Sequence, residues 1–210
     1  MRELTHPSSI AEPTNMITHL NPNTFVLTCH PDTGNGAVHK IEAYVGWQQT
    51  DTLAFTYMLT GDCTRVQIPS PRPPTKTDGL WQHTCFEAFV SVPGESAYWE
   101  LNFSPSGEWA VYRFHTYRQR ALPEEDEPMP EILVHGAKDH LTLDACLRLP
   151  QRFTTQPLRL ALSAVIEDTA GTLSYWAGKH PPGKPDFHHS DAFALEIAPF
   201  SGDATRKETR

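Results

Sequence analysis

The chain has 210 residues and a formal net charge of −8, from 17 basic and 25 acidic residues. This length suits one domain with a substantial core. The acidic balance and the lack of a basic run disfavour nucleic-acid binding, since phosphates need lysine and arginine. No apolar stretch is long enough to span a bilayer, and the first twenty residues lack the apolar core of a signal peptide. We therefore expect a cytoplasmic protein without a nucleic-acid or membrane partner.

Proline is more frequent than glycine in this chain, with 19 prolines against 12 glycines. Helices tolerate proline poorly, so the composition favours strands and loops. The four cysteines are widely spaced and include no C-x-x-C pair: Cys29, Cys63, Cys85 and Cys146. Three of them fall in apolar, strand-like runs, where a reduced thiol acts as a small hydrophobe. We expect free thiols rather than disulfides or a metal site.

Short β-prone runs follow one another along the chain, separated by turn residues. Residues 1–20 are predicted as an N-terminal arm, 21–200 as the domain and 201–210 as a disordered tail. The predicted strands are 25–29, 38–47, 53–59, 64–68, 83–92, 98–103, 108–117, 132–135, 141–149, 158–167, 173–176 and 192–197. Roughly ten or more short strands without a helical period predict an all-β fold, an antiparallel sandwich or barrel.

Two long segments between these strands are predicted as loops. Residues 69–79 contain four prolines, which exclude regular structure, and residues 118–131 are acidic and interrupted by proline. A third segment, residues 178–184, has the spacing of a phosphate-binding loop. It fails as one because Pro185 occupies the position that needs a hydroxyl. No other catalytic motif, such as G-x-S-x-G or H-E-x-x-H, is present, and an enzyme is the less favoured class.

Polar side chains with complementary chemistry follow three consecutive predicted strands. Alternation along the strands allows four of them to share one sheet face: Glu87, Glu100, Asn102 and Arg113. Carboxylate, amide and guanidinium groups are what a polyol needs, because each hydroxyl both donates and accepts a hydrogen bond. Trp81 and Trp176 are the candidate aromatic platforms for the apolar face of a sugar. On pattern alone, a cross-strand ion pair and core tryptophans explain the same residues.

Several separate motifs occur in an order that resembles the DOMON-like superfamily, and within it family-9 carbohydrate-binding modules, over roughly residues 38–198. The matching residues are Trp81…Glu87, then Tyr98-x-Glu100-x-Asn102-x-Ser-Pro-x-Gly107, then Trp176…Pro185-Asp-Phe-His188…Phe193. The resemblance implies a jelly-roll-like β-sandwich of two antiparallel sheets. It also implies a sugar held between two tryptophans, with Glu and Arg bonding its hydroxyls. Trp81, Glu87 and Trp176 match this pattern best, and Arg113 and Asn102 match it more loosely.

Three alternatives to a saccharide module stay open. Other DOMON-like domains bind haem through axial ligands, for which Met58 and His83 are candidates. A metal or hydrolytic site could draw on His180, Asp186 and His188, close to His189 and Asp191, although loop capping explains them as well. Glu87 and Glu100 could also form a carboxylate pair for glycoside hydrolysis. The residues themselves call for no cofactor, and haem or calcium, which some relatives bind, is left open. The oligomeric state is not predicted.

Overall fold

The structure, a computed structural model, describes residues 24–123 and 127–201. Within these residues the strands are β1 (Thr24–Cys29), β2 (Val38–Trp47), β3 (Thr52–Gly61), β4 (Cys85–Ser91), β5 (Tyr98–Phe103), β6 (Trp109–Thr116), β7 (Gln119–Arg120), β8 (Glu131–Gly136), β9 (His140–Arg148), β10 (Leu158–Glu167), β11 (Leu173–Ala177) and β12 (Leu195–Ile197). The short helical turns that connect them are α1 (Gln151–Thr154) and the 3-10 turns Cys63–Arg65, Leu80–Gln82 and Ser190–Ala192. The arm predicted at 1–20 and the tail from residue 202 onward lie outside the described residues.

The strands form two layers, and every pairing between them is antiparallel. The first layer has the order β1-β2-β3-β9-β8 and the second the order β11-β10-β4-β5-β6-β7. Strand β1 joins the layers, because it pairs with β2 in one and with β11 in the other. Strand β12 pairs with the first residues of β10. The architecture is a β-sandwich, as predicted.

The main core lies between the layers and is filled by alternate residues of their strands. Phe55 on β3 contacts Phe103 on β5 with ring centres 5.6 Å apart, and Tyr57 contacts Phe86 on β4 at 5.1 Å. The Tyr57 hydroxyl also donates a 2.7 Å hydrogen bond to the backbone carbonyl of Glu87. The first layer therefore supports the strand that carries the predicted acidic residue.

A second apolar cluster lies on the other face of β4, β5, β6 and β10, beneath the segment 178–194. It is made of Leu80, Cys85, Phe89, Tyr98, Ala110, Tyr112, Phe114, Ala161, Val165, Ala177, Phe187, Ala192 and Phe193. This outer face of the second layer is covered by a connecting segment instead of a third sheet. The cavity described below opens on this face.

The prediction of a strand at residues 64–68 is wrong. Cys63–Arg65 form a 3-10 turn instead, since the Asp62 carboxylate accepts a hydrogen bond from the Thr64 amide at 3.2 Å. Val66 makes only an isolated bridge, to Asp168. The prediction that residues 118–131 form a loop is also wrong in part, because β7 lies within this segment and pairs with β6.

The four cysteines are free thiols. Cys63 and Cys85 are buried, and Cys29 and Cys146 are partly exposed. In the described ranges, no helix combines the length and the apolar character needed to cross a bilayer.

Candidate functional site

A cavity of about 520 Å³ opens on the outer face of the second layer, and we call it the Trp81 cavity. Its lining comes from the sheet, from the 3-10 turn before β4, from the β6–β7 connection and from the covering segment. These residues are Trp81, Glu87, Phe89, Glu100, Phe114, Arg118, Arg120, Val165, Tyr175, Lys184, Pro185, Phe187 and His188. Its volume is in the range of small-molecule sites, and its mix of aromatic walls with few polar groups is typical of them.

Trp81 is the most exposed large aromatic side chain of the cavity, at 47%. The turn that carries it is anchored on one side by Leu80, which is buried in the outer apolar cluster. Gly79 precedes the turn with φ +78°, a left-handed conformation that glycine adopts without strain. Its amide donates a 3.3 Å hydrogen bond to the Tyr112 hydroxyl. The turn therefore presents the indole to solvent at the cavity.

Glu87, Glu100 and Asn102 share the outer face of β4 and β5, as the sequence predicts. Glu87 lies directly opposite Asn102 in the antiparallel ladder, and Glu100 lies opposite Phe89. The two carboxylic side chains are therefore diagonal neighbours, close enough for long side chains to interact. Asn102 is fully buried and donates a 2.8 Å hydrogen bond from Nδ2 to Glu100 Oε1. Asn102 thus supports Glu100 from below and does not line the cavity.

The Glu87 carboxyl group is buried without compensation. Its side chain lines the cavity, the residue is only 2% exposed, and its Oε1 atom has no hydrogen-bond partner within the described part of the chain. Burial, with the nearby Glu100 carboxylate, raises the pKa of Glu87 well above its ordinary value. Both effects favour the neutral form of this acid.

Glu100 is better supplied with hydrogen-bond donors. Burial raises its pKa, while the Asn102 amide and the positive charges of Arg120 and Arg118 act in the opposite direction. On its other side, the His188 Nε2 atom lies 3.6 Å from Glu100 Oε2. Of the two acids, Glu100 is the one that its surroundings favour as an anion.

A short chain of hydrogen bonds positions the His188 ring. The backbone amide of Arg118 donates to the Tyr98 hydroxyl at 3.0 Å, and that hydroxyl lies 2.8 Å from His188 Nδ1. When the hydroxyl donates to Nδ1, Nε2 carries the imidazole hydrogen. Burial, with the positive charge of Arg118, lowers the pKa of His188 to about 4. At neutral pH His188 is therefore uncharged, and in this tautomer its Nε2–H group lies on the side of Glu100.

Asp186 holds the covering segment against the β6–β7 connection. Its carboxylate accepts hydrogen bonds from the Tyr117 hydroxyl at 2.6 Å, from Arg118 Nη2 at 2.9 Å and from the His188 backbone amide at 3.1 Å. Although burial opposes ionisation, the hydrogen bonds from Tyr117 and Arg118 keep the pKa of Asp186 below its ordinary value. Asp186 thus fixes two residues of the cavity wall at once.

Three exposed basic residues complete the rim: Arg118, Arg120 and Lys184. Arg118 is engaged by Asp186, and the Arg120 guanidinium lies 3.8 Å from the centre of the Tyr112 ring. The cavity therefore combines buried acids at its base with exposed bases at its rim, which together can accept and donate hydrogen bonds to a polyol.

Two predicted site residues are not in this cavity. The expectation that Arg113 shares the face of Glu87 is wrong, because Arg113 pairs with Trp99 across β5 and β6 and so lies on the opposite face. There its guanidinium lies 5.8 Å from the Trp99 ring and bonds the Leu122 carbonyl. Trp176 is only 4% exposed and packs in the main core, with Nε1 bonded to Ser174 Oγ at 3.0 Å. The predicted arrangement of two facing indoles is therefore not formed.

The candidate metal ligands make separate contacts. His180 Nε2 bonds the Thr28 carbonyl at 2.8 Å, while Asp186 and His188 bond the groups already described. Among the residues that the structure describes, no group of three or more His, Cys, Asp and Glu side chains is arranged to hold a metal ion. The haem candidates lie on different layers: Met58 on β3 of the first and His83, paired with Glu167, beside β4 of the second.

Several lining residues are missing from the sequence prediction. Arg118 and Arg120 belong to the segment predicted as a solvated loop, where β7 had no hydrophobic signal. Tyr175 lines the cavity because it alternates with the inward-facing Trp176. The sequence shows that Tyr175 and Trp176 are adjacent aromatic residues in a strand, but alternation alone does not say which of them faces the core.

Two solved structures resemble this fold. A protein from Bacteroides uniformis ATCC 8492 with a proposed carbohydrate-binding role matches with a TM-score of 0.53 at 10% identity, over 73% of this chain and 75% of that chain. A family-9 carbohydrate-binding module from Caldicellulosiruptor kristjanssonii, in complex with cellotriose, matches with a TM-score of 0.55 at 11% identity, over 95% of this chain and 93% of that chain. No protein-family model and no curated protein sequence matches the chain. At these identities the likeness establishes a shared β-sandwich fold.

Proposed function

We propose that this protein is a binding module for a saccharide, which it holds in the Trp81 cavity. The observation that carries the proposal is an exposed indole over a cavity whose base contains two buried carboxyl groups. An aromatic ring covers the apolar C–H face of a sugar, and paired oxygens at the base grip its hydroxyls. The fold shared with a module solved in complex with cellotriose supports the same class of ligand.

Each lining group has a role in this proposal. Trp81 stacks on the sugar ring, and Glu87 and Glu100 bond hydroxyls at the base. Arg118 and Arg120 supply donors at the rim, while Asn102 and Asp186 hold these groups in place without touching the sugar. Trp176 and Arg113 take no part, because both lie away from the cavity.

Isothermal titration with mono- to trisaccharides of glucose, xylose and galactose tests the proposal. At least one of them should bind, and Trp81→Ala should weaken that affinity by about tenfold or more, since stacking rings are typical binding hot spots. Leu133→Ala is the matched control, because Leu133 is an exposed apolar side chain on β8 of the other layer. If no saccharide binds, or if both variants weaken binding equally, the proposal is wrong.

One observation favours a second candidate, glycoside hydrolysis. An acid with a raised pKa beside a carboxylate is the pair that glycosidases use to protonate the leaving oxygen and to stabilise or attack the sugar. Glu87 would be the acid and Glu100 its partner. Release of the aryl alcohol from aryl glycosides, abolished in Glu87→Gln, would establish this activity, and binding without turnover would leave the protein a binding module.

A further inference from the structure

A carboxyl oxygen of Glu87, at the base of the Trp81 cavity, has no hydrogen-bond donor among the described residues. Glu87 is buried, lines the cavity and has an oxygen without a partner in the described residues. Polar atoms that a fold buries are nearly always paired, so a buried carboxyl group with an unpaired oxygen, on a residue that lines a cavity, points to a ligand.

Among the residues that the structure describes, no basic side chain bonds Glu87 Oε1, and the three that line the cavity, Arg118, Arg120 and Lys184, are exposed at its rim. Arg118 is held by Asp186 and Tyr117, and Arg120 lies over the Tyr112 ring. Asn102 Nδ2 and His188 Nε2 face Glu100, and the buried hydroxyl of Ser163, opposite Glu87 on β10, has no partner among the described residues either. In the described part of the chain, Glu87 Oε1 is therefore left without a cationic partner.

An ammonium group has the chemistry that fits between two such acids. It carries one positive charge and three donors, whereas a sugar hydroxyl supplies one donor and no charge. Its positive charge would balance the charge of the buried acids Glu87 and Glu100. Aromatic rings also attract cations, and Phe89, Phe114 and Trp81 line the cavity. The basic residues of the rim are exposed, so solvent screens their repulsion more than it screens the buried acids.

We infer that the preferred ligand of the Trp81 cavity is an amino sugar whose primary ammonium group lies at the base between Glu87 and Glu100. This inference rests on the proposed saccharide binding and adds the class of sugar. It concerns the free amine, since acetylation of that amine removes the charge and leaves a bulkier, neutral group.

Matched sugars test the inference on the full chain at neutral pH. Titrations should compare glucosamine with glucose and N-acetylglucosamine, and galactosamine with galactose and N-acetylgalactosamine. In at least one series, the free amine should bind about tenfold more tightly than both neutral forms, which corresponds to about 1.4 kcal/mol. Equal or weaker binding of both free amines would overturn the inference.

Variants of the two acids test whether the preference for the amine depends on Glu87 and Glu100. In Glu87→Gln the ratio of amine to neutral affinity should fall to about one, and Glu100→Gln should lower it as well. Glu131→Gln, an exposed acid on β8, should keep the wild-type ratio. A preference that survives in both cavity variants would place the ammonium elsewhere and overturn the inference. Binding of neutral sugars without an amine preference defeats this inference alone, whereas no binding by any sugar defeats the proposed function.

Discussion

Glu87 and Glu100 are diagonal neighbours on the outer face of β4 and β5, and both are buried beneath the same cavity. They are 2% and 5% exposed, yet only Glu100 has a hydrogen-bonded amide at its carboxylate. A fold gains nothing from a buried acid without a partner, and such groups concentrate where ligands bind. This asymmetry separates the site from an ordinary cross-strand ion pair, which would place a basic residue beside Glu87.

Replacing Glu87 with glutamine should stabilise the sugar-free protein, relative to the wild type, as the pH rises above about 4.5. The pKa of Glu87 is raised by folding, so the folded state keeps a proton that the unfolded chain releases above about pH 4.5. The free energy of unfolding should therefore fall as pH rises from about 4.5 through the folded pKa, by up to ~1.4 kcal/mol per pH unit. Urea denaturation between pH 5 and 8 should show a smaller fall in Glu87→Gln. Glu131→Gln should follow the wild type, and equal slopes in all three proteins would contradict the interpretation.

His188 should act on stability in the opposite direction. Folding lowers its pKa from 6.5 to about 4, so its contribution is complete above pH 6.5 and is lost as pH falls to about 4. Its side chain is only 15% exposed, and the loss should be on the order of 3 kcal/mol. Denaturation of His188→Gln should lack this acid-dependent loss, whereas the exposed His135→Gln should retain it. An imidazole of His188 that titrates near pH 6.5 in NMR spectra would contradict the assignment.

Alternation along the strands is enough to predict the shared face of Glu87, Glu100 and Asn102, because the bounds predicted for β4 and β5 agree with the structure to within about two residues. It could not place Arg113, since the face of a residue in β6 depends on the register with β5, which a single sequence does not contain. It also could not decide between Tyr175 and Trp176, since both neighbours are aromatic and either could face the core. The strand β7, next to Arg118, cannot be predicted from the sequence, because a strand of two residues forms only through its pairing with β6.

The two tryptophans should differ sharply in their effect on stability. Trp176 fills the main core, so Trp176→Ala leaves a large void and should cost about 3–5 kcal/mol of unfolding free energy. Trp81 is half exposed, and Trp81→Ala should change stability by no more than about 0.5 kcal/mol. Urea midpoints of the two variants give the comparison directly. Similar losses in both would mean that the Trp81 ring packs in the fold and is not free to contact a ligand.

Asp186 should matter for binding more than for folding. Its carboxylate bonds Tyr117, Arg118 and the backbone amide of His188, so it holds two lining residues although it does not line the cavity itself. Asp186→Asn keeps the size of the side chain but removes the charge that orients Arg118. We expect saccharide affinity to fall about tenfold, while unfolding free energy falls by only about 1–2 kcal/mol.

Asp191→Asn is the control for this change, because Asp191 is exposed in the same covering segment and lies outside the cavity lining. In Asp186→Asn, faster hydrogen exchange at the His188 amide with unchanged exchange in β4 and β10 would show that the covering segment has become more mobile while the sheet has not. If affinity is kept while that amide exchanges faster, the position of the wall does not govern binding. The sugar would then be held by the sheet and Trp81 alone.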